Sequence, residues 1–341
     1  MRGYQLSKHG DAQHLVLGTF PDPEPAANEV CVKTEAIGLN YAEIQSRRGL
    51  YGWSPKLPYI LGMEATGVIE KLGEGVTTHA VGDRVIIAAQ YGCYADRVCV
   101  PARQALPAVF GWRHVENAAF AVNYMTAWVA LKKLIKLSAG ESILINAAAG
   151  GVGSAAVQLA RALGATVYGG VGSNDKMDLV RSLGAVDVVN YRKRTFDKKL
   201  RKLTHGEGVD AVIEVVGGTV FRKSLGLLKP FGHLAVMGFA SLDLNKLNPL
   251  SWWKTWRAIP RVKVNQLAMD SRMVGASHLG YLLNNPRLLP ELWTELTTFC
   301  NEHGIKPVLG HEFAFTQMAQ AHELMESRRS QGKIVVRVTD S

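Results

Sequence analysis

The fold of this chain is decided by residues 142–160, which read SILINAAAGGVGSAAVQLA. The run at residues 142–147 has the length and apolar character of a buried strand. A turn of alanine and glycine follows at residues 148–153, and apolar residues then recur with helical spacing as far as Leu163. The stretch therefore predicts a strand, a tight glycine turn and a helix in direct succession.

Further apolar runs follow this stretch and lie at residues 166–168, 186–189, 210–216 and 233–237. Their continuous hydrophobic character, rich in β-branched residues, is typical of strands that are covered on both faces. The helical segments between them have lengths that suit right-handed βαβ crossovers. We predict an α/β fold in which these strands form a doubly wound parallel sheet of the Rossmann type.

The first 120 residues follow a different pattern. Short strand-like runs at residues 29–34, 66–70 and 83–87 are separated by glycine and proline turns. This part is predicted to be mainly β, in the form of a small barrel. Another strand-like run, at residues 333–338, can complete the same domain.

The chain has 341 residues, and at roughly 100 to 200 residues per domain this length favours two domains. Hydrophobic residues make up 47% and charged residues 20% of the sequence, which excludes fibrous and disordered classes. We predict a barrel domain from residues 1–122 and 264–341, and a dinucleotide-binding domain from residues 123–263.

Charge and cysteine content narrow the protein class further. The net charge of +10 is compatible with a nucleic acid, an anionic membrane surface or a phosphorylated cofactor as partner. The first ten residues lack the apolar stretch of a secretory signal, so a cytoplasmic protein is expected. The cysteines, at Cys31, Cys93, Cys99 and Cys300, predict neither a disulfide framework nor a structural zinc cluster.

The glycine turn can bind a ligand. A sharp turn from strand to helix lets a pyrophosphate approach backbone N–H groups at the positive end of the helix. Gly150 is expected to permit this approach, and Gly153 to permit close packing of the helix. Ala148 occupies the position of the first glycine in the G-x-G-x-x-G pattern, so an alternative stays open in which the glycines only turn the chain.

The end of the second predicted strand indicates which dinucleotide binds. An acidic side chain there would accept hydrogen bonds from the adenosine ribose, but residues 168–176 read YGGVGSNDK. Ser173 and Lys176 offer a hydroxyl and an ammonium to a 2′-phosphate, which favours NADPH over NADH. Asp175 is the counter-indication, although it can serve the helix terminus instead. The alternative for Lys176 is a solvated surface lysine.

Several motifs occur together in this sequence, and they are GLNY at 38–41, GME at 62–64, GDRV at 82–85, VNYMTAW at 122–128, the turn at 147–153 and GKIVV at 332–336. This set resembles the medium-chain dehydrogenase/reductase superfamily over nearly the whole chain. Within the superfamily it is similar to the zinc-independent quinone oxidoreductases. Gly275 and the sequence HLGYL at 278–282 are similar to the vesicle amine transport protein homologue branch.

The resemblance implies a GroES-like, partly open β-barrel domain from both chain ends, a Rossmann domain in the middle, and a cleft between them for nicotinamide and substrate. Alcohol dehydrogenases of this superfamily place zinc ligands where this chain has Asn40 and Met63, and the third ligand region, at 121–123, has no cysteine. We therefore expect no metal. The implied reaction is hydride transfer from NADPH to a quinone or an α,β-unsaturated carbonyl, which depends on positioning and oxyanion stabilisation.

The resemblance also implies roles for individual residues. Asn40, near the nicotinamide, and Tyr51, a phenol that faces the substrate, are the candidate catalytic residues. The candidate cofactor-binding residues are Asn40, Thr126, Gly150, Gly151, Val152, Gly153, Ser173, Lys176, Tyr191 and Phe239. Relatives often carry tyrosine where Gln45 stands, so the usual aromatic substrate contact is missing. The alternatives are barrel packing for Tyr51 and a turn-stabilising amide for Asn40.

Two surface segments point to further partners. Residues 192–202 form a basic run in which Phe196 is the interleaved aromatic, and a solvated helix face is favoured there over a nucleic-acid footprint. Arg192 is an additional candidate neighbour of the 2′-phosphate. Residues 250–261 contain three of the seven tryptophans beside cations. A substrate lid or core packing is favoured for this segment, with peripheral membrane contact or docking of a partner as the alternative.

These features motivate a second hypothesis, in which the chain is an NADPH-binding protein with little turnover that binds lipid, membrane or a protein partner. The family resemblance implies a homodimer.

Overall fold

The computed structural model describes residues 1–240, 259 and 261–338. The chain forms two compact units, one from Met1–Met125 with Leu279–Ser341 and the other from Thr126–His278. We call them the barrel unit and the nucleotide unit.

The strands are β1 (Arg2–Leu6), β2 (Leu15–Thr19), β3 (Glu29–Gly38), β4 (Tyr59–Ile60), β5 (Glu64–Leu72), β6 (Arg84–Ala88), β7 (Arg97–Pro101), β8 (Ala105–Pro107), β9 (Ser142–Asn146), β10 (Thr166–Val171), β11 (Asp187–Asn190), β12 (Val209–Glu214), β13 (Leu228–Val236), β14 (Met273–Ala276), β15 (Leu309–Ala314) and β16 (Lys333–Arg337). The helices are α1 (Tyr41–Arg47), α2 (His114–Ala118), α3 (Ala121–Trp128), α4 (Gly151–Ala162), α5 (Met177–Ser182), α6 (Phe196–Leu203), α7 (Gly218–Gly226), α8 (Val264–Asp270), α9 (Leu279–Leu283), α10 (Leu288–Glu302) and α11 (Met318–Glu326).

The nucleotide unit is built on a parallel sheet with the strand order β11-β10-β9-β12-β13-β14. The order reverses between β9 and β12, as it does in doubly wound sheets that bind dinucleotides. The interior is apolar, since Leu144, Val212 and Leu234 on three neighbouring strands are at most 1% exposed. The predicted Rossmann-type sheet is confirmed.

Sequence reasoning did not identify the last strand of this sheet. β14 has four residues and pairs with β13 at the sheet edge. Its side chains are partly or fully exposed, with Met273 at 44%. A strand this short and this exposed has no continuous buried run, so its sequence carries no strand signal.

The barrel unit contains a sheet with the strand order β15-β16-β3-β5-β6-β8, and β7 pairs with β3 in addition. A smaller sheet has the order β2-β1-β4. β16 pairs antiparallel with β3, with Val335 opposite Gly38. The prediction that a strand near residue 333 completes the N-terminal β domain is therefore confirmed.

The structure corrects the expectation of no disulfide. β3 and β7 are antiparallel, and their register places Cys31 directly opposite Cys99 with 4.1 Å between the Cα atoms. The two sulfur atoms are bonded at 2.09 Å. The two cysteines are 68 residues apart in the sequence, so their spacing does not indicate that they pair. Cys93 and Cys300 are free and buried.

Within the described ranges, no helix combines the length and apolar character that a membrane crossing requires.

Candidate functional site

The glycine turn joins β9 to α4. A Cβ added at Gly153 would lie 2.2 Å from the Ala147 carbonyl oxygen, so only glycine lets the helix pack this closely against the turn. A Cβ at Gly150 would lie 3.3 Å from the same oxygen, a tight contact that a shift of a few tenths of an ångström would relieve, so the fold requires glycine far less strictly there than at Gly153. α4 has 12 residues, and the first N–H groups of such a helix have no partner inside it. This helix end therefore suits an anionic group.

A buried polar pair lies at the carboxyl ends of β9 and β12. The Asn146 amide donates to Glu214 Oε2 at 2.6 Å and to Ser224 Oγ at 2.9 Å. Glu214 Oε1 accepts hydrogen bonds from the backbone N–H groups of Val216 and Gly217 at 2.5 and 2.7 Å. Burial raises the pKa of Glu214 to about 7, against the opposing effect of these donors. The pair fixes the loop after β12 at the point where the strand order reverses.

The loops after β10 and β11 converge around Gly172. A Cβ at Gly172 would lie 3.0 Å from the Tyr191 hydroxyl and 3.6 Å from Arg192 Nε. The Asn190 amide donates to Asn174 Oδ1 at 2.9 Å, which ties the two loops together. The structure thus brings Tyr191 and Arg192 beside the glycine that precedes Ser173.

Lys176 lies close enough to Arg192 for the two charges to interact. Burial lowers the pKa of Lys176, and the neighbouring Arg192 charge lowers it further, while Asp175 acts in the opposite direction. Asp175 has a lowered pKa, because the Ser173 side chain donates a hydrogen bond to it. Asp175 therefore accepts hydrogen bonds at the start of its own helical turn, as the sequence suggested. Two cations held close together form a site that an anion would stabilise.

Two other predicted cofactor residues lie elsewhere in the nucleotide unit. Thr126 is in α3 and 9% exposed, whereas Phe239 follows β13 and is 37% exposed.

Asn40 belongs to the barrel unit, in a buried cluster with Glu64 and Lys333. The Lys333 ammonium donates to Asn40 Oδ1 at 2.8 Å and to Glu64 Oε2 at 2.6 Å. The Asn40 amide nitrogen lies 3.2 Å from the Gly38 carbonyl oxygen. Glu64 Oε1 accepts from the backbone N–H of Val122 at 2.9 Å. The ammonium and both carboxylate oxygens thus all have partners inside the protein.

A second buried cluster is centred on Glu43. Its carboxylate accepts hydrogen bonds from the backbone N–H groups of Asn40 and Met63, both at 2.7 Å, and from the Tyr94 hydroxyl at 2.5 Å. The Tyr94 hydroxyl also lies 2.9 Å from His322 Nε2. Burial raises the pKa of Glu43 to about 7 and lowers that of His322 to about 3. His322 is therefore a neutral imidazole, and Glu43 anchors the turn that carries Asn40.

The phenol of Tyr51 has a raised pKa. Burial raises the pKa of Tyr51 to about 12, and the charge of Glu43 contributes to the increase. Met63 is 8% exposed, so its thioether is part of the packed interior. Among the described residues, no group of three or more His, Cys, Asp and Glu side chains is placed to hold a metal ion.

The basic run at 192–202 covers the turn before α6 and most of the helix itself. Phe196 and Leu200 are buried under the helix, whereas Lys198 and Lys202 are exposed. Phe196 therefore offers no exposed ring on which a base could stack. The tryptophans of the 250–261 segment lie outside the described residues.

Sequence reasoning missed the buried carboxylates of Glu43 and Glu64 in the barrel unit. Glu64 is 0% exposed at the start of a strand that otherwise reads as an ordinary β run. Glu43 stands three residues after Asn40, which is the position of a helix capping carboxylate, and this spacing is the signal that could have found it.

Two known sequence families match this chain. The family described as alcohol dehydrogenase GroES-like domain matches residues 26–139, and the family described as zinc-binding dehydrogenase matches residues 151–279. The first match confirms the predicted GroES-like domain, and the second coincides with most of the nucleotide unit.

Similar proteins cover nearly the whole chain. The synaptic vesicle membrane protein VAT-1 homologue of Rattus norvegicus is 33% identical over 315 residues, covering 92% of this chain and 78% of the relative. Quinone oxidoreductase of Rattus norvegicus is 31% identical over 347 residues, covering 98% and 97%.

Solved structures give the same result. Escherichia coli quinone oxidoreductase complexed with NADPH superposes with a TM-score of 0.89 at 30% identity, over 99% of this chain and 100% of that one. The human synaptic vesicle membrane protein VAT-1 homologue-like protein superposes with a TM-score of 0.85 at 27% identity, over 100% and 99%. The chain therefore belongs to the medium-chain dehydrogenase/reductase superfamily, in its quinone oxidoreductase-like family and VAT-1 homologue branch.

Proposed function

We propose that this chain is an NADPH-dependent oxidoreductase that transfers hydride to a quinone or an α,β-unsaturated carbonyl without a metal ion. The observation that carries the proposal is the placement of Tyr191 and Arg192 beside Gly172, with Lys176 close enough to Arg192 for their charges to interact, together with the helix start at Gly150. The E. coli relative solved with NADPH supports the choice of cofactor.

The residues of the nucleotide unit fit NADPH. Gly151 and Val152 would hold the pyrophosphate through their backbone N–H groups. Gly150, whose own N–H donates to the Ala147 carbonyl oxygen at 2.9 Å, would let the pyrophosphate approach because it has no side chain. Lys176 and Arg192 would hold the 2′-phosphate, with the Tyr191 hydroxyl as a further donor. The Ser173 hydroxyl, which donates to Asp175 in this structure, would turn its single proton to the phosphate to join them. When bound, NADPH supplies the hydride. Thr126 and Phe239 are proposed to contact the nicotinamide end of the cofactor.

The barrel unit is proposed to supply the proton. A reduced quinone or enone carries negative charge on oxygen, and the Tyr51 phenol can donate its proton to that oxygen. A pKa of about 12 keeps the phenol protonated throughout the physiological range. Asn40 would position the reacting groups, and Met63 would form an apolar wall. Hydride and proton together give a hydroquinone or a saturated carbonyl.

Zinc does not fit the residues of this site. The place of a zinc thiolate is taken by Asn40, whose oxygen accepts a hydrogen bond from the Lys333 ammonium. A fixed positive charge on this oxygen opposes a divalent cation, and the thioether of Met63 is a poor replacement for an imidazole. The proposed reaction therefore uses no metal ion.

The test is NADPH oxidation measured at 340 nm with 9,10-phenanthrenequinone, 1,4-benzoquinone and 2-cyclohexen-1-one, each repeated with NADH. We expect turnover with at least one acceptor and a preference for NADPH. Calorimetric titration that detects no NADPH binding would refute the proposal as a whole.

A second candidate function is an NADPH-binding protein with little turnover that binds a membrane or a protein partner. The relatives named as synaptic vesicle membrane proteins favour it, as do Gln45 and the tryptophans of residues 250–261. Tight NADPH binding without turnover, and co-sedimentation with anionic liposomes that Trp252→Ala and Trp256→Ala abolish, would support this function over the first.

The homodimer is also a proposal. Among the strands of the described residues, β14 lies at the edge of its sheet, and Val264 and Met269 on the preceding helix α8 are 80% and 86% exposed. An exposed edge with apolar neighbours favours pairing with a second copy. Light scattering coupled to size exclusion gives the mass in solution. A monomer at assay concentration would exclude the dimer. The cytoplasmic location stays a prediction.

A further inference from the structure

A cavity on the barrel unit is lined by residues that have no part in the proposed reaction. Its volume is about 300 Å³, which is at the lower end of the range for small-molecule sites. The wall is built from the start of β6, the segment that leads into α2, and the neighbouring strands β15 and β16. Its lining includes Arg84, Trp112, Arg113, His114, Glu312 and Arg337.

Positive charge predominates in this wall. Three of the lining side chains carry a guanidinium group, and one, that of Glu312, carries a carboxylate. Arg84 is already occupied, because its two terminal nitrogen atoms donate to the Glu35 carboxylate at 3.1 and 3.3 Å. The guanidinium groups that can bind a ligand are therefore those of Arg113 and Arg337.

The backbone of Arg113 is fixed, whereas its guanidinium is available. Glu116 accepts the Arg113 backbone N–H at 2.8 Å through Oε2, and its other oxygen lies 3.6 Å from Arg113 Nη2. The second distance is too long for a hydrogen bond. The Arg113 carbonyl oxygen accepts from the backbone N–H groups of Glu116 and Asn117, both at 3.0 Å. These bonds hold Arg113 at the start of α2, while its side chain is 63% exposed.

Arg337 is held by the sheet. Its backbone pairs with Ala36 of β3 on one side and with Ala314 of β15 on the other. Arg337 Nε lies 3.7 Å from Glu312 Oε2, so this contact is an ion pair without a hydrogen bond. Within the described part of the chain, the guanidinium groups of Arg113 and Arg337 make no hydrogen bond. An oxyanion in the cavity can accept hydrogen bonds from both.

An aromatic side chain belongs to the same wall. The Trp112 ring packs edge-to-face against the buried Phe120, with 5.0 Å between the ring centroids and an angle of 85°. The core thus fixes one part of the indole, while Trp112 remains partly exposed where it lines the cavity. Aromatic rings bind other rings by offset or edge-to-face stacking, and guanidinium groups recognise carboxylate and phosphate through paired donors. The chemistry of the wall therefore fits a small molecule that has both a ring and an oxyanion.

We propose that this cavity is a binding site for a small organic anion, in which a carboxylate or phosphate group accepts hydrogen bonds from Arg113 and Arg337 and a ring lies against Trp112. The site goes beyond the proposed hydride transfer and does not depend on it. Glu312 lowers the affinity for any anion, because its charge has the same sign. Removal of this charge is therefore expected to strengthen binding.

The experiment is calorimetric titration of the full chain at constant ionic strength with phenyl phosphate, benzoate and inorganic phosphate. The first two probes carry a ring with either oxyanion, and the third carries the oxyanion alone. We expect one-to-one binding of phenyl phosphate or benzoate, and the tighter of the two identifies the oxyanion. Inorganic phosphate should bind roughly 2- to 10-fold more weakly than phenyl phosphate, because it lacks the ring. Equal affinity for these two would contradict the contact with Trp112.

Arg113→Gln and Arg337→Gln should each weaken binding of the tighter probe about 10-fold, the lower end for hydrogen bonds between charged groups, because both side chains are partly exposed. Arg103→Gln, the same change at an exposed arginine of the barrel unit outside the cavity, is the matched control and should leave the Kd unchanged. Glu312→Gln should strengthen binding, which keeps the test informative if an arginine variant fails to fold. The Tm of each variant is measured alongside.

Failure of all three probes to bind would overturn the proposal. A Kd that is unchanged in Arg113→Gln and Arg337→Gln, or that Arg103→Gln weakens equally, would show that the anion binds elsewhere or through net charge alone. Lys176→Ala should leave binding of the probes intact, and loss of binding in that variant would place the anion in the nucleotide unit instead. Turnover with NADPH is measured separately, so the proposed function can fail without affecting this result.

Discussion

Cys31 and Cys99 face each other across β3 and β7, and a disulfide joins them within the sheet of the barrel unit. The bond links positions 68 residues apart, and Cys31 is fully buried. The loop that it closes contains α1 and strands β4 to β6, which are the elements that carry Asn40, Glu43 and Glu64.

The disulfide predicts the number of reactive thiols. In protein purified without reductant and unfolded in guanidinium, a thiol reagent should detect the two free cysteines, and after reduction it should detect all four. Cys99→Ser should lower the free energy of unfolding by about 2–4 kcal/mol relative to the oxidised protein. Four thiols before reduction would show that the pair is not bonded in solution.

Lys176→Ala should weaken NADPH far more than NADH, because NADPH carries the additional phosphate. A hydrogen bond between charged groups is worth about 1.5–3 kcal/mol, so the Kd for NADPH should rise roughly 10- to 100-fold. Fluorescence titration with both nucleotides measures this difference. Lys198→Ala, at an exposed position on α6, is the control. Equal losses for both nucleotides would remove Lys176 from the phosphate site.

Gly150→Asp should separate binding from folding. A Cβ at this position requires a shift of only a few tenths of an ångström, and aspartate is a favourable residue at a helix N-cap, so the Tm should change little. The carboxylate would repel a pyrophosphate at the same helix end, so NADPH binding should be lost.

Gly150→Ala provides the comparison without charge, and it should retain most of the binding. Gly153→Ala should instead lower the Tm, because its Cβ would overlap the Ala147 carbonyl oxygen. A Gly150→Asp protein that binds NADPH normally would show that the pyrophosphate binds elsewhere.

Tyr51→Phe tests the proton donor. Loss of a general acid typically costs about 10²- to 10⁴-fold in rate, so kcat should fall in that range, with little change in the Kd for NADPH. Because the pKa of Tyr51 is about 12, the protonated phenol is the active form and kcat of the unmodified protein should not fall on its account below about pH 10. Tyr91→Phe, at a tyrosine that is 52% exposed, is the control. A kcat unchanged by Tyr51→Phe would assign the proton to another donor.

Glu214 should make the protein less stable as the pH rises. Its pKa is about 7 in the folded chain against 4.5 as the reference value for the unfolded one. The folded state therefore retains this proton while the unfolded state releases it, and the resulting stability is fully present below about pH 4.5 and is lost as the pH rises through 7.

Urea unfolding at pH 5 and pH 8 measures this loss. Glu214→Gln should make the free energy of unfolding depend less on pH, whereas Glu295→Gln, at an exposed position of α10, should not. The same pH dependence in Glu214→Gln and in the unmodified protein would assign the effect to other groups, with Glu43 the first to test.

The sequence at residues 142–153 predicted the fold of the nucleotide unit, because the residues that form its first strand and its glycine turn are consecutive in the chain. An apolar strand, a turn and a helix with regularly spaced apolar residues follow one another directly in the sequence. They are also direct neighbours in the structure, as β9 and α4. β14 was missed because it is short, exposed and positioned by pairing with β13, which is a property of the sheet and not of the four residues.

The buried clusters of the barrel unit could not be predicted because their members come from distant parts of the chain. Lys333 and Glu64 are 269 residues apart, and Cys31 meets Cys99 only through the register of two strands. The pairing of β3 with β5, which sets the position of Glu64, also shifts at two places. A one-residue slip would turn these side chains to the other face of the sheet.

The pairing of β16 with β3 has a consequence for biosynthesis. The ribosome delivers residues 126–278 as one uninterrupted stretch, so the middle of the protein can fold while translation continues. The barrel must wait for Lys333, and until then its largest sheet exposes the edge of β3 where Val335 and Val336 will pair. Nascent chains stalled before residue 333 should therefore be the ones that chaperones retain.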